Sequence, residues 1–348
     1  MAVDIAAVSN NGSIAYAYPW SAGFGTKYSD PATPPTGGQS GGVGFSPAAT
    51  EIAFSGNTSP YIQAYPWTVG TGFGTKFSNP ATLPTNISHG CAFSPDGATL
   101  AVTHDTSPYV STYPWSGSGF GTKRSDPATL PTGTGKAVAF TADSAHIAVA
   151  HDSSPWVSAY PWSAGFGTKY SDPATNPGGT GYGVAFAPNG ATIAVASWGS
   201  PYIYAYPWSA GFGTKYANPA SLPVLPFSVA WTPDGNDIAV GNYTSPFVIV
   251  YPWSAGFGTK YSDPAALPAN SGYGVAFNGA DLAVAVADGS VGLVAYPWAS
   301  GFGTKYTNPA TNVPLGYAVA WSGTVVAATV NPPRRLVVRQ AVNRLAVR

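Results

Sequence analysis

The sequence predicts an all-β chain closed into a ring of blades, a β-propeller of seven four-stranded units, and three observations carry that prediction. The triplet Tyr-Pro-Trp recurs at Tyr18, Tyr65, Tyr113, Tyr160, Tyr206, Tyr251 and Tyr296, at intervals of 45 to 48 residues. A period in that range is what one four-stranded propeller blade occupies. Each unit is also cut by Gly, Pro, Asn and Ser into four short pieces, and with 42 Gly and 34 Pro no unit keeps the uninterrupted run of roughly 10 residues that a helix needs. Finally, the two ends are complementary. "DIAAV" (Asp4 to Val8) reads as the second strand of a unit, while "YAVAW" (Tyr317 to Trp321) is a first strand with no successor. Pairing the two gives a composite closing blade. A stacked β-solenoid has a similar period and is the competing architecture, but it has no need of complementary ends.

The unit that starts at Tyr182 shows how each strand is written. "GVAF" places Val184 and Phe186 on one face and Ala185 on the other by the two-residue strand period. "TIAVA" alternates Ile193 and Val195 with Ala194 and Ala196, a pattern suited to a sheet buried on both faces. Between them lies "FAPNGA", elsewhere "FSPDGA" (Phe93 to Ala98) and "WTPDGN" (Trp231 to Asn236). Pro presets its own φ and Gly tolerates positive φ, so these are tight turns joining the first two strands into a hairpin. The third strand, "PYIYAYPW", ends on a Pro that cannot donate to a ladder. The fourth, "GFGTKYSDP", is glycine-rich and carries the unit's regular lysine, as an edge strand should.

First strands number seven, ending at Phe45, Phe93, Phe140, Phe186, Trp231, Phe277 and Trp321. Residues 1–323 are therefore assigned to the propeller and 324–348 to a C-terminal extension or closing strands. After Trp321, "SGTVVAATV" resembles another second strand and "RRLVVRQ" a third, so residues 324–340 compete with residues 4–18 for the closing blade.

Composition narrows the functional classes. Only 8% of residues are charged, with 14 basic against 14 acidic side chains, where ordinary domains carry roughly 25%. Such a neutral body attracts no phosphate backbone, and nucleic acid is not an expected partner. The opening "MAVDIAAVSNNG" has no basic segment, and Asp4 interrupts its apolar run, so neither a Sec-type signal nor membrane insertion is expected. With one cysteine, Cys91, no intrachain disulfide can form. Cys91 stands where sister units have Val184 and Val275, which reads as a small core residue rather than a nucleophile.

"CAFSPDGATLAV" (Cys91 to Val102), followed by an aromatic strand ending in Trp, is similar to the WD40 family of propellers. The chain departs from that family in ending the third strand with Pro-Trp instead of Trp-Asp and in lacking a regular Gly-His pair. A WD40-type buried hydrogen-bond network is therefore not expected. A longer motif, "AYPWS…GFGTKYS(D/N)PATLP", spans residues 13 to 316 and resembles the highly repetitive propellers encoded by tailed bacteriophages and related environmental sequences. That resemblance implies a virion-associated, non-enzymatic propeller made in the host cytoplasm, with capsid or tail proteins as partners.

Candidate sites are few. His89, His104, His146 and His151 and the lone Glu51 lack metal-ligand spacing, and no catalytic, metal or cofactor site is expected. His104 and His151 occupy the same position in adjacent units, which favours a repeated structural hydrogen bond. Trp20, Trp67, Trp115, Trp162, Trp208, Trp253 and Trp298 read first as packing between blades. Alternatively they form seven stacking platforms for host surface glycans, a multivalent adhesion module working by avidity. Lys27, Lys76, Lys123, Lys169, Lys215, Lys260 and Lys305 form a ring with Asp or Asn three residues on. Arg334, Arg335, Arg339, Arg344 and Arg348, five of the 14 cations, mark the C-terminal segment as a docking arm for a protein partner.

Overall fold

The computed structural model describes residues 2–9, 15–37 and 41–323. The Arg-rich segment and the rival closing strands at 324–340 lie outside the described residues. Within them there are 22 strands and no helix, so no helix is long and apolar enough to cross a membrane.

The chain opens with β1 (Val3–Ser9) and β2 (Ala15–Trp20). Blade 1 follows as β3 (Val43–Phe45), β4 (Glu51–Ser55), β5 (Ile62–Thr68) and the short β6 (Gly72–Phe73). Blade 2 is β7 (Ser88–Phe93), β8 (Thr99–His104) and β9 (Val110–Pro114); blade 3 is β10 (Gly135–Phe140), β11 (His146–His151) and β12 (Val157–Pro161). Blade 4 is β13 (Gly181–Phe186), β14 (Thr192–Ser197) and β15 (Ile203–Pro207). Blade 5 is β16 (Pro226–Trp231), β17 (Asp237–Asn242) and β18 (Val248–Pro252). Blade 6 is β19 (Gly272–Phe277), β20 (Asp281–Val286) and β21 (Leu293–Pro297), and β22 (Gly316–Trp321) ends the described chain.

These strands form seven antiparallel sheets. The innermost strand of each packs beside that of the next, and β22 meets β3 to close the ring. This is the seven-bladed propeller. Closure uses the N-terminal strands: the seventh sheet has the order β2-β1-β22, with Ile5 opposite Trp321 and Ala7 opposite Val319. Asp4 and Ser322 lock the seam, the Asp4 amide donating to Ser322 Oγ at 2.8 Å and the Ser322 amide to the Asp4 carbonyl at 2.9 Å.

The expectation of four full strands per blade needs correction. Only blade 1 has a fourth strand, β6; in the other six blades a single bridge joins Trp to Phe, as in Trp162 to Phe166. The difference lies in the turn after the triplet: five residues separate Trp67 from Phe73, which lets Thr68 pair with Gly72 as a second rung, while the other blades return to Phe sooner, as from Trp162 to Phe166. The outer segment still tracks the third strand through spaced backbone bonds, Gly167 to the Pro161 carbonyl and Tyr170 to the Ala159 carbonyl, both 2.9 Å.

Blades join by a large face meeting a small one. Ala194 and Ala196 of blade 4 pack against Val229, Ile238 and Val240 of blade 5, while Ala148 and Ala150 of blade 3 receive Val184, Ile193 and Val195 of blade 4. Alanine on the receiving face leaves the depth that the neighbour's branched side chains fill. Every middle-strand residue from β8 to β20 is buried apart from His146.

The Tyr-Pro-Trp triplet supplies two further ties. All seven tyrosines are fully buried; six hydroxyls donate to a loop carbonyl about 30 residues upstream, such as Tyr160 to Thr129 at 2.9 Å and Tyr206 to Thr175 at 2.8 Å, and Tyr18 donates across the seam to Thr311 at 2.6 Å. The tryptophans cross the blade junctions. Trp20, Trp67 and Trp298 donate from Nε1 to one carboxylate oxygen of Asp281, Asp4 and Asp237, at 2.8, 3.0 and 3.0 Å. Tyr306, Tyr28 and Tyr261 donate to the other oxygen, each at 2.8 Å. Buried carboxylates fed by two or more donors, Asp281 also by Asn278 Nδ2 and Asp4 also by the Gly70 amide, are satisfied, and removing them strands those donors. Asp281→Ala is expected to lower stability by about 2 to 4 kcal/mol, read as a drop in the urea midpoint with an unchanged slope. Deleting residues 1–20, which leaves blade 7 with its inner strand alone, is expected to abolish the cooperative transition altogether.

Candidate functional site

The seven inner strands enclose a central cavity of about 470 Å³, to which every blade contributes an equivalent triplet, from Gly41-Gly42-Val43 to Tyr317-Ala318-Val319. The middle residue of the triplet is always small because the strands converge there. A Cβ on Gly183 would sit 3.0 Å from Ser228 Cα, and one on Gly274 would sit 3.0 Å from Ala318 Cα.

The first residue of the triplet behaves differently. It is Gly41, His89, Lys136, Tyr182, Phe227, Tyr273 and Tyr317 in turn. In the six blades other than blade 1 the pairing register shifts at this residue, as between Gly135 and Ala137 or between Gly181 and Gly183. A bulge takes a residue out of the ladder and re-aims its side chain. Here it frees the one inner-strand position that blade packing does not constrain.

These bulged residues share the face of the disc where the inner strands begin. The loops that follow the middle strands add Asp105, Asp152, Trp198 and Tyr243 there. The result is two unlike arcs. Across blades 4 to 7 runs an aromatic arc: Tyr182 lies 4.6 Å from Trp198 at 41°, Trp198 lies 5.3 Å from Phe227, Phe227 lies 4.3 Å from Tyr273, and Tyr273 lies 5.0 Å from Tyr317 at 32°. Tyr243 joins at 6.2 Å from Phe227. Trp198 and Tyr243 keep 36% and 49% of their surface exposed, in a protein where most large apolar side chains are buried.

Blades 2 and 3 carry the polar arc. His89 Nε2 lies 2.5 Å from Asp105 Oδ1, and Lys136 Nζ lies 3.4 Å from the same ring nitrogen and 3.9 Å from Asp105. Burial, seconded by Lys136, holds His89 below the usual histidine range against the pull of Asp105. Burial also lowers Lys136, with Asp105 and Asp152 opposing. Burial raises Tyr182 and Tyr273, with Asp152 adding to the former and Tyr317 and Tyr243 to the latter. Among the described residues no three His, Cys, Asp or Glu side chains converge as a metal site would require.

The residues expected from the sequence are placed as follows. The tryptophans of the triplet are buried, Trp253 partly so, and their rings are met edge-on by neighbours such as Phe166 on Trp162 and Phe302 on Trp298. They serve packing, whereas exposed aromatic surface lies on Trp198 and Tyr243. Lys27, Lys123, Lys169 and Lys260 pair with Asp30, Asp126, Asp172 and Asp263, and Lys76, Lys215 and Lys305 with Asn79, Asn218 and Asn308. Exposed pairs of this kind contribute little. Arg334, Arg335, Arg339, Arg344 and Arg348 lie outside the described residues. Cys91 lines the cavity wall, where burial pushes its thiol up to about 12, so it is protonated and a poor nucleophile at neutral pH. The mouth itself was missed because its residues are scattered over six repeats; the signal was the variable second column of the first strand.

No protein-family model matches the sequence, and no curated protein matches it. Solved structures do match in fold. A functionally unknown protein from Desulfotomaculum acetoxidans superposes with a TM-score of 0.69 at 11% identity, covering 93% of this chain and 100% of its own. Two proteins provisionally named as 6-phosphogluconolactonases are comparable. The one from Bacteroides uniformis gives 0.66 at 15% identity over 92% of this chain and 99% of its own. The one from Bacteroides fragilis gives 0.67 at 13% over 92% and 98%. At these identities the likeness is one of fold.

His104 and His151 make a matched structural bond. His104 Nε2 lies 3.0 Å from Ser111 Oγ with Nδ1 2.8 Å from the Thr106 carbonyl, and His151 repeats this with Ser158 at 3.0 Å and Ser153 at 2.8 Å. Loss of hydration lowers both to about 4, against the pull of those carbonyls. In the unfolded chain each titrates near the ordinary 6.5, so between pH 6.5 and 4 the unfolded state binds more protons. Stability attributable to this pair is complete above pH 6.5 and is expected to fall as the pH drops towards 4, by a few kcal/mol in all. Replacing both with serine, the residue at Ser197, is expected to flatten the denaturation midpoint across that window.

Proposed function

We propose that this protein is a non-catalytic interaction scaffold, a propeller that decorates or connects parts of a bacteriophage capsid or tail. The observation that carries the scaffold reading is that the repeat is consumed by blade packing. Its tyrosines are tied to loop carbonyls, its tryptophans are packed into the blades with three of them bonded to junction carboxylates, its lysines pair with neighbouring Asp or Asn side chains, and its two matched histidines are held neutral. What remains is a rigid disc with net charge 0, which suits a part that binds and spaces other proteins. The virion placement is supported by the resemblance of the motif over residues 13 to 316 to phage-encoded propellers. Docking is assigned to the Arg-rich segment at 324–348.

Mass spectrometry of purified phage particles from the source culture tests the placement. Many copies per particle relative to the major capsid protein are expected; absence from particles overturns it. Deleting residues 324–348 is expected to leave a folded propeller that no longer co-purifies with particles, and retained association would remove the docking role.

A further inference from the structure

We infer that the channel mouth is a single binding site for a neutral carbohydrate, one per disc, in which a pyranose ring stacks on the aromatic arc and its hydroxyls meet the polar arc. Sugar binding here is independent of whether the disc belongs to a virion, and it uses none of the seven repeat tryptophans.

Four observations point to this class of ligand. The cavity, about 470 Å³, falls within the roughly 300 to 1,000 Å³ of pockets that enclose small organic ligands. Its aromatic side is lined by Tyr182, Phe227, Tyr273 and Tyr317, and Trp198 and Tyr243, 36% and 49% exposed, extend that apolar surface outward from the rim. The tilted pairs, Tyr182 with Trp198 at 41° and Tyr273 with Tyr317 at 32°, together with Phe227 edge-on between them, line one side of the mouth as an uneven aromatic shelf. A pyranose presents one face of C–H groups that suits such a shelf.

The polar side decides between ligands of different charge. Lys136 stands against a cation, Asp105 and Asp152 stand against an anion, and with His89 held neutral the cluster offers donors and acceptors in near balance. A wholly apolar partner surface would bury Lys136, His89 and Asp105 without replacing their water, at a cost that grows with each unpaired group. A ring of hydroxyls, each both donor and acceptor, replaces that water. Placement agrees: the bulge in blades 2 to 7 aims both kinds of side chain at one mouth, so the site is assembled from different blades and cannot repeat.

Saturation-transfer NMR tests the site on the full chain, with the methyl pyranosides of glucose, galactose and mannose, chitobiose, maltotriose and choline as probes. The strongest binder is then titrated by calorimetry. Transfer to the ring C–H protons of at least one sugar is expected, with no transfer to choline. Trp198→Ala and Tyr243→Ala are each expected to weaken binding about tenfold or more, and Lys136→Met to weaken it while circular dichroism and the thermal midpoint stay as in the parent. Leu267→Ala, an exposed apolar change outside the residues that line the cavity, is expected to leave binding unchanged. Three results would each overturn the proposal: silence from every sugar at millimolar concentration, choline binding in their place, or sugar binding that survives both aromatic substitutions. Equal losses in Leu267→Ala and Trp198→Ala would also overturn it, in favour of a broad apolar face for a protein partner.

Discussion

The structure depends on one packing constraint, that every blade must present a bulky face to one neighbour and an alanine face to the other. A ring closes only if each junction has the same thickness. Ile193 and Val195 entering the depth left by Ala148 and Ala150, and Ile238 and Val240 entering that left by Ala194 and Ala196, are one solution used repeatedly. The seam obeys it too. Ile5 joins Ala283 and Ala285 of blade 6, while Ala6 and Val8 receive Ile52 and Phe54 of blade 1. Near-identity of the repeats is thus a geometric requirement, since close-packed interiors resist even small changes of volume.

Polar groups fit around that constraint wherever the middle strand leaves room. The residue opposite the junction tryptophan is Asp4, Asp237 or Asp281 in three blades, and Glu51, Thr99, His146 or Thr192 in the others. Where it is Asp, the indole N–H is satisfied. Where it is Glu51 or His146, Trp115 Nε1 and Trp208 Nε1 have no hydrogen-bond partner among the described residues. Area burial and edge-on aromatic contacts hold those junctions without the extra bond. The buried network thus links adjacent blades through Trp and Asp where Asp is present and, among the described residues, leaves the indole N–H unpaired at Trp115 and Trp208.

Variation of a useful kind needs a position released from the packing rule, and the inner-strand bulge provides it. A side chain outside the ladder contributes little to blade spacing, so His, Lys, Tyr and Phe can all occupy it without disturbing closure. The same geometry turns a column of the repeat into a ring in space, so six substitutions spread over 229 residues, His89 to Tyr317, become the two walls of one mouth.

Much of the fold was legible in the sequence because local chemistry and the period agree. Pro-Asp-Gly turns, alternating Ile and Ala in the middle strands and a period of 45 to 48 residues specify seven antiparallel units, and complementary ends specify how they close. The fourth strand is the exception, because strand-like composition does not show that the short turn from Trp to Phe holds one bridge where the longer turn of blade 1 holds two. The tryptophans pack as the sequence suggests, but the carboxylate partners of three of them lie far off in the chain, 63 residues for Trp67 and Asp4, 61 for Trp298 and Asp237 and 261 for Trp20 and Asp281, beyond any local pattern. What the sequence by itself determined is whatever repeats, since each unit states its own strands, turns and faces. What only the tertiary structure decided is the mouth, because proximity there is set by ring closure and bulge geometry, which bring residues together across blades that share no local sequence signal.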